Sequence, residues 1–278
     1  MKNTLKKFVA LMLALLTVLA MVACAKPAEE APAAPAADDD VAYITEKGKM
    51  TIGITIFDPM NYYDDAGKLI GFDTEYAEAV CEKLGVEPEF IEINWDTKEV
   101  ELAAKSIDCI WNGMTITEER KENMTFSAPY IKNKQCIVIQ AAKAAEFVDT
   151  ASLAGGTLVA EISSAGEAAI ADDANLSKAT YVAVAKQADA LLEVKSGTAD
   201  GAVLDFVMAK AMVGEGTDYA DLMIIEGVEL APEEYGIGFR LGSNMAAKVD
   251  EATKALIEEG KLQEIAEKYG QADVLLVG

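Results

Sequence analysis

Short apolar runs alternate with amphipathic stretches along most of the chain. The run KMTIGITI, beginning at Lys49, is typical of a buried strand. Residues 72–84 follow with apolar side chains on one helical face, and Gly85 is a stop signal for that helix. Further apolar runs are PEFIEIN, IDCIWNG, KQCIVIQ, TLVAEI, YVAVA, GAVLD and LMIIEG. Repeated strand–helix units predict an α/β fold with mainly parallel sheets and helices on both faces.

The same alternation starts again after KQCIVIQ, so the chain contains two sets of strand–helix units. Two sets predict two lobes, each with its own sheet. In open sheets of this kind, ligands bind beyond the carboxyl ends of the strands, where helix N-termini gather. Several predicted helices begin at residues that commonly cap helices, or at the spacing of a capping box. These caps are Asp73, Asp96 with Glu99, Thr117, and Ser164 with Glu167.

The N-terminal segment differs from the rest of the chain. Three lysines, at positions 2, 6 and 7, precede an apolar stretch that ends at Ala23. The stretch is shorter than the roughly 20 residues of a membrane-spanning helix, so residues 1–23 are predicted to form a secretory signal peptide. Cys24 follows small residues, which resembles the lipobox of bacterial lipoproteins and identifies Cys24 as a lipidated first residue of the mature protein. A simple soluble export signal is the alternative.

After Cys24 the chain continues as AKPAEEAPAAPAADDD, which is rich in alanine, proline and acidic residues. Such a composition cannot form a core and stays extended. Residues 24–40 are therefore predicted to form a flexible tether that holds a folded body away from the membrane. Export and lipidation together imply an extracytoplasmic protein anchored to the outer face of the bacterial cell membrane.

Composition narrows the possible functions. The 47 acidic and 24 basic residues give a net charge of -23, which repels phosphate backbones and disfavours nucleic acid as a partner. The chain contains no histidine, so a Ser-His-Asp triad, a Cys-His pair and a histidine-bound metal are excluded. No catalytic residue, metal site or cofactor is predicted.

Three further cysteines, Cys81, Cys109 and Cys136, lie in apolar sequence contexts. An odd number excludes a framework in which every cysteine is paired. Buried free thiols are the favoured interpretation, and a disulfide between Cys109 and Cys136 is the alternative.

Four motifs are spaced as in one known family. Together they resemble the polar amino acid-binding proteins of ABC importers, bacterial solute-binding proteins of family 3, over roughly residues 49–270. The resemblance implies a periplasmic-binding-protein-like fold of type II, in which two α/β lobes are joined by a two-strand hinge. Lobe 1 would comprise residues 41–134 and 231–278, and lobe 2 residues 135–230. The motifs are Gly71-Phe72-Asp73-Thr74-Glu75, Trp95-Asp96, Asn112-Gly113-Met114-Thr115-Ile116-Thr117-Glu118-Glu119-Arg120 and Phe126-Ser127-Ala128-Pro129-Tyr130.

Arg120 is the residue on which a binding function depends most. It is one of two arginines, and a planar guanidinium forms two parallel hydrogen bonds with a carboxylate that lysine cannot match. It follows the predicted cap Thr117 by three residues. The guanidinium, the helix N-terminus and the Thr115 hydroxyl are therefore expected to converge on one anion. The other arginine, Arg240, is predicted to be solvent-exposed.

The resemblance implies further ligand contacts. Asp205, at the end of the strand GAVLD, would pair with the ligand's α-ammonium group, although it is also placed to cap the next helix. Glu161 would face the ligand's side chain and suit a hydrogen-bond donor there, with orientation towards solvent as the alternative. For Ser164, capping alone is an equally good explanation. The other implied contacts are Phe57 and Trp95 around the side chain, Gly113 and Thr115 at the charged groups, Met114, Asn61 and Tyr62 beside the side chain, and Ser164 and Ala165 at a second carboxylate-binding turn.

These features predict a binding protein and not an enzyme. The two lobes would close on a polar L-amino acid, and the closed form would deliver it to the permease of an ABC transporter. The protein is expected to act as a monomer. The alternatives are a dehydratase-like enzyme on the same fold, with Glu161 as a general acid acting on a cyclic carboxylic acid, and a ligand sensor.

Overall fold

Residues 39–276 are described by the computed structural model of the chain, so the predicted signal peptide, Cys24 and the tether up to residue 38 lie outside the described residues. Within residues 39–276, no helix is long and apolar enough to cross a membrane. The strands are β1 (Lys49–Ile54), β2 (Tyr62–Tyr63), β3 (Leu69–Ile70), β4 (Glu87–Glu92), β5 (Cys109–Ile110), β6 (Met124–Phe126), β7 (Ile131–Gln140), β8 (Thr157–Glu161), β9 (Thr180–Val184), β10 (Gly201–Asp205), β11 (Leu222–Ile224), β12 (Leu230–Tyr235) and β13 (Gly238–Arg240). The α-helices are α1 (Asp40–Lys47), α2 (Phe72–Leu84), α3 (Lys98–Ala103), α4 (Glu118–Asn123), α5 (Ala165–Asp172), α6 (Gln187–Ser196), α7 (Phe206–Met212), α8 (Met245–Glu258) and α9 (Lys261–Lys268).

The first sheet has five strands in the order β4-β1-β5-β13-β6. β1 is parallel to β4 and β5, whereas β13 runs antiparallel to β5 and β6. After its first residue, β1 is buried throughout, as a continuous apolar run predicts for a central strand. Helix α2 packs against β4 and α8, and α8 also contacts β13.

The second sheet has the order β11-β7-β10-β8-β9, and β12 pairs with β7. β8 is parallel to β9 and β10, whereas β7 is antiparallel to β10, β11 and β12. Helices α5 and α6 pack against β8 and β10. The predicted α/β class is confirmed, but both sheets are mixed instead of mainly parallel, because β7, β12 and β13 run against their neighbours.

Two strands carry the chain between the sheets. The chain passes from β6 in the first sheet into β7 in the second, and it returns through β12 to β13. β7 and β12 pair with Ile131 opposite Tyr235. The register shifts between Leu230 and Glu233, and Ala231 has a positive φ of 39°. An irregularity of this kind bends a strand, here where it leaves the second sheet.

A buried ion-pair cluster joins the first helix to the first sheet. Asp39 caps α1, and its carboxylate accepts a hydrogen bond from the Ala42 amide at 3.1 Å. Asp40 is 1% exposed and accepts hydrogen bonds from Arg240 at 2.8 and 3.1 Å. The predicted tether therefore does not extend to Asp40, and the predicted exposure of Arg240 is wrong. Arg240 ends β13, which lies between two other strands, so its buried charge requires a partner.

Two of the four predicted helix caps are confirmed. The hydroxyls of Thr117 and Ser164 each accept a hydrogen bond at 3.1 Å from the backbone amide three residues later. Asp73 does not cap α2, because the helix begins one residue before it; the buried carboxylate instead accepts a hydrogen bond from the Gly113 amide at 2.8 Å. Asp96 lies in a short 3₁₀ turn before α3 and makes no capping hydrogen bond.

The three cysteines of the described residues are buried and free. Cys109 lies in the first sheet and Cys136 in the second, so the alternative of a disulfide between them is wrong. Burial raises the pKa of Cys81 and of Cys136 to about 12, which keeps both thiols protonated and poorly nucleophilic at neutral pH.

Candidate functional site

A narrow cavity lies where the carboxyl ends of strands from both sheets meet. Thr55 follows β1, and Asn112 lies just beyond β5, in the first sheet; Glu161 ends β8 and Asp205 ends β10 in the second. This is the edge at which strand–helix units were predicted to bind a ligand. The lining residues are Thr55, Phe57, Trp95, Asn112, Gly113, Thr115, Arg120, Glu161, Ser164, Ala165, Gln187 and Asp205.

Nine of the ten residues predicted to bind the ligand line this cavity. The exception is Met114, whose side chain is fully buried in an apolar cluster with Trp95 and Leu102. Gly113 has a left-handed backbone conformation with a φ of +56°, so the chain turns here instead of continuing as a strand. Gly113 and Thr115 reach the cavity, while Met114 between them packs behind it.

Two residues of the first loop also lie behind the cavity. Asn61 is buried, and its side chain accepts a hydrogen bond from Asn112 at 2.7 Å and donates one to Thr74 at 3.0 Å. Tyr62 packs edge-on against Tyr269, with 6.4 Å between the ring centroids. Asn61 therefore supports the side chain of Asn112. Neither Asn61 nor Tyr62 lines the cavity.

Arg120 is positioned by the first turn of α4. Its Nη1 donates to the Thr115 carbonyl at 2.9 Å, and its Nη2 donates to the Ser163 carbonyl, beside the second sheet, at 3.2 Å. Burial lowers the pKa of Arg120, and the negative charges of Glu233 and Asp205 raise it again in part. A guanidinium has five N–H donors, so these two bonds leave others for a ligand.

Asp205 is held by a ring of neutral donors. Its Oδ1 accepts hydrogen bonds from Asn133 at 2.6 Å, from Gln135 at 3.1 Å and from the Tyr235 hydroxyl. Its Oδ2 accepts one from Gln187 at 2.5 Å. Asp205 stands at the start of α7, but its side chain makes no capping hydrogen bond. Because Oδ2 accepts fewer bonds than Oδ1, it retains acceptor capacity for another donor.

Phe57 and Gly113 fit closely together at one wall. Gly113 has a φ of +56°, and a Cβ atom there would lie 2.5 Å from Cε1 of Phe57. Both the backbone conformation and the space therefore require glycine. Phe57 also packs edge-on against Tyr235, with 6.5 Å between the centroids. The backbone of residue 113 and the Phe57 ring form one rigid surface.

Sequence reasoning missed Lys98, a buried cation beside the cavity. Lys98 is 3% exposed, and its Nζ lies 4.8 Å from the centre of the Trp95 ring. The ammonium donates to the carbonyls of Trp95 at 3.0 Å and Ser163 at 3.1 Å. Burial, with a smaller effect of Arg120, lowers the pKa of Lys98 to about 8. The only signal in the sequence was its place three residues after Trp95.

Glu161 lies inside the protein, so the solvent-facing alternative is wrong. It is 2% exposed, and its buried Oε1 has no hydrogen-bond partner. Burial raises the pKa of Glu161 to about 8, with a further increase from Asp205. The nearby Lys98 ammonium and Gln187 amide lower the pKa of Glu161 without cancelling this shift.

The N-terminus of α5 supplies backbone donors to the cavity. Ser164 uses its hydroxyl to cap α5, and Ala165 is the first helical residue. The first amides of a helix have no partner within it, so this end attracts anions. Ser163 precedes the cap with a positive φ of 58°, which turns its carbonyl towards Lys98 and Arg120.

Three further lining residues were not predicted: Thr55, Asn112 and Gln187. Thr55 and Asn112 hydrogen-bond each other through their side chains at 2.7 Å. Both directly follow apolar strands, and this position was the available signal. Gln187 was missed because it begins α6, far along the chain from the strand whose last residue it contacts.

The charges of the cavity suit a small zwitterion. Arg120 is the basic residue among the lining residues, and Glu161 and Asp205 are the acidic ones. Arg120 approaches from the first sheet and the two acids end strands of the second. Among the described residues no group of three side chains is arranged to hold a metal ion. The cavity can therefore bind a molecule that has a negative group facing Arg120 and a positive group facing the two acids.

Residues 50–272 match the family model of bacterial extracellular solute-binding proteins, family 3. The chain belongs to this family. The resemblance seen in the sequence motifs is thereby confirmed, and so is the type II periplasmic-binding-protein fold, which solved structures of similar proteins share.

Individual relatives are amino acid-binding proteins. The L-cystine-binding protein TcyJ of Escherichia coli (strain K12) is 25% identical over 233 residues, which cover 83% of this chain and 86% of that protein. A variant of ArgBP from T. maritima, a protein also solved with bound arginine, superposes with a TM-score of 0.76 and 32% identity over 83% of this chain and 98% of that one. An ancestral amino acid-binding protein, a precursor of cyclohexadienyl dehydratase, gives a TM-score of 0.75 and 26% identity over 83% and 99%.

Proposed function

We propose that this solute-binding protein captures a polar L-amino acid in the cavity and delivers it to the permease of an ABC transporter. One observation carries the proposal: Arg120 and Asp205 line the same closed cavity from opposite sheets. A guanidinium suits the ligand's carboxylate and an aspartate suits its ammonium group. Neither charge has an oppositely charged side chain within ion-pair distance among the described residues, so a zwitterion would complete both.

The other lining residues have roles in this proposal that follow from their positions. The amide of Ala165 and the Thr115 hydroxyl would add donors to the ligand's carboxylate, and the Gly113 carbonyl would accept from its ammonium group. Phe57 and Trp95 would pack against its side chain. Ser164 would act through the start of α5, because its hydroxyl already serves as the cap.

Capture requires the two parts of the molecule to separate and close. The cavity has a volume of about 10 Å³, room for about one water and much less than any amino acid. We propose that residues 41–134 with 231–278 form one lobe and residues 135–230 the other, and that β7 and β12 act as the hinge. Ser163 would fasten the closed state, because its carbonyl accepts from Lys98 and Arg120 and its hydroxyl donates to Asp96 at 2.9 Å.

The variant Arg120→Ala tests the proposal. We expect it to abolish amino acid binding in isothermal titration calorimetry, because a carboxylate would be buried without its charge partner; micromolar affinity corresponds to about 8 kcal/mol. The circular dichroism spectrum should be unchanged. Lys121→Ala, which removes a neighbouring exposed cation paired with Glu118, is the matched control and should bind normally. Near-normal affinity of Arg120→Ala would refute the assignment.

Binding without chemical turnover is part of the proposal. Asp205 is held as a hydrogen-bond acceptor towards the cavity, which suits an ammonium group and disfavours a cyclic acid that lacks one. A ligand incubated with the protein should therefore be recovered unchanged in the calorimetry samples. Conversion of a cyclic carboxylic acid would favour the dehydratase alternative, in which the protonated Glu161 acts as the acid.

The site of attachment is proposed from the sequence. Cys24 would carry the lipid, and the chain after it would connect the anchor to the folded body outside the cytoplasmic membrane. Intact-mass spectrometry of protein from membranes should show a mature chain that begins at Cys24 and carries acyl groups. Cys24→Ser should release unacylated protein from the membrane fraction; continued membrane association of this variant would contradict the proposal.

A further inference from the structure

Glu161 lines the cavity with a buried carboxylate oxygen that accepts no hydrogen bond. It ends β8, is 2% exposed and lines the cavity, and its Oε1 has no partner. A buried carboxylate oxygen without a donor costs free energy. Gln187 lies close enough to Glu161 to lower the pKa of that acid, but its amide donates to Asp205 at 2.5 Å.

The charge balance of the cavity points to what completes Glu161. The lining contains one basic residue, Arg120, and two acidic ones, Asp205 and Glu161. The charged ends of an α-amino acid match Arg120 and Asp205 and leave Glu161 without a positive partner. A third, positive group on the ligand would balance it.

Lys98 does not fill this role. It forms no ion pair with Glu161 within 4.0 Å among residues 39–276, and two carbonyls, those of Trp95 and Ser163, hold its ammonium. Other charged groups near Glu161 are Asp205 and Asp189, which are both negative. Burial and these acids outweigh Lys98, so the environment of Glu161 still favours an added positive charge.

We infer that the ligand carries a positive charge at the far end of its side chain and that Glu161 is the residue that binds this charge. The inference rests on the proposed capture of an amino acid and narrows it to dibasic amino acids such as arginine or lysine. Phe57 and Trp95 suit such a ligand, because aromatic faces attract cations as well as aliphatic chains.

Arginine and citrulline are a matched pair of probes, because citrulline has a neutral urea group where arginine has a guanidinium. When the lobes close on arginine, Glu161 stays ionised next to a cation. When they close on citrulline, Glu161 is buried without one and takes up a proton, because its pKa rises from about 4.5 in solvent to about 8. The affinity for citrulline should therefore fall by up to tenfold per unit as the pH rises from 6 to 8, while that for arginine stays nearly constant.

Calorimetry of the full protein at pH 7, in buffers of different ionisation enthalpy, measures this proton uptake directly. We expect about one proton per citrulline and close to none per arginine. Glu161→Gln should weaken arginine binding about 10- to 100-fold and remove the proton uptake with citrulline. Glu146→Gln, which removes an exposed acid of the same charge, should leave both ligands unaffected.

The outcomes separate this inference from the proposed function. Tighter binding of citrulline or glutamine than of arginine or lysine by the unmodified protein would overturn the inference while the capture of an amino acid stands. Unchanged arginine affinity in Glu161→Gln would also overturn it. Absence of binding to any amino acid would instead overturn the proposed function.

Discussion

At the scale of single residues, the buried cations of the protein are held by partners that lie far away in the chain. Arg120 and Asp205 stand at a helix start and a strand end, positions that a pattern of elements reveals. Lys98 and Arg240 also stand at a helix start and a strand end, but a lone cation usually lies in solvent, so position alone did not indicate that they are buried. Their burial depends on partners distant in the chain: Ser163 is 65 residues from Lys98, and Asp40 is 200 residues from Arg240.

The Arg240 cluster leads to a prediction of stability. Asp40→Ala leaves the buried guanidinium with the carbonyls of Ile107 at 2.8 Å and Leu102 at 3.4 Å and with Asp108 at 3.5 Å as its partners. We expect the free energy of unfolding to fall by about 3 kcal/mol, since the buried guanidinium loses its closer carboxylate and keeps only Asp108, which also pairs with Lys47. Urea denaturation followed by circular dichroism measures the change.

An exposed ion pair is the control for this prediction. Lys248 pairs with Glu251 on the surface of α8, and both side chains are largely exposed. Lys248→Ala should therefore change the free energy of unfolding by less than about 1 kcal/mol. Equal effects of Asp40→Ala and Lys248→Ala would show that the buried cluster contributes no more than a surface pair.

At the scale of elements, local patterns located most strands and helices, while pairing partners decided the rest. The apolar runs of β1, β8 and β10 were recognisable because buried strands need continuous apolar sequence. Helix α1 was missed because its first residue belongs to an acidic run that, taken alone, predicts an extended chain. Its burial comes from Arg240, a partner that no local pattern reveals.

The start of α2 shows the same limit. Asp73 was predicted as a cap, but the helix starts before it and the carboxylate turns inwards to Gly113 and the Tyr130 hydroxyl. Burial raises the pKa of Asp73 to about 7, against the effect of these two hydrogen bonds. Its position directly supports the backbone of Gly113 at the cavity wall. Asp73, which was predicted to cap its own helix, therefore binds the backbone of a residue 40 positions away in the chain.

At the scale of the whole molecule, two sheets followed from the repeated alternation, but their mixed topology did not. β7 and β12 connect the sheets and run against their neighbours, which only the path of the complete chain determines. The same two strands are the proposed hinge. The net charge of -23 acts at this scale as well: it would attract the cationic ligand inferred above, and we expect the association rate of such a ligand to fall with rising salt.

Opening and closing should depend on pH, because Glu161 and Lys98 are buried where the two lobes meet in this proposal. Glu233, whose pKa burial and Asp205 also raise, accepts hydrogen bonds from Asn133 and Gln135 of the paired strand β7 and is expected to keep them in both states. Closure raises the pKa of Glu161 from about 4.5 to about 8, so it takes up a proton in that range and becomes more favourable as the pH falls. Closure lowers the pKa of Lys98 from about 10.5 to about 8, so it releases a proton and becomes more favourable as the pH rises above 8. Closure of the ligand-free protein is therefore least favourable near pH 8.

Small-angle X-ray scattering of the ligand-free protein should show its largest radius of gyration near pH 8, with smaller values at pH 6 and pH 10. In Glu161→Gln the contraction on the acidic side should disappear, since glutamine takes up no proton, while the contraction on the alkaline side should remain because Lys98 is intact. A radius that does not vary with pH would mean that Glu161 and Lys98 are equally buried in the open form, and an acidic contraction that survives in Glu161→Gln would mean that another acid, such as Glu233, takes up the proton. Either result would refute the proposed coupling between the protonation of Glu161 and closure about β7 and β12.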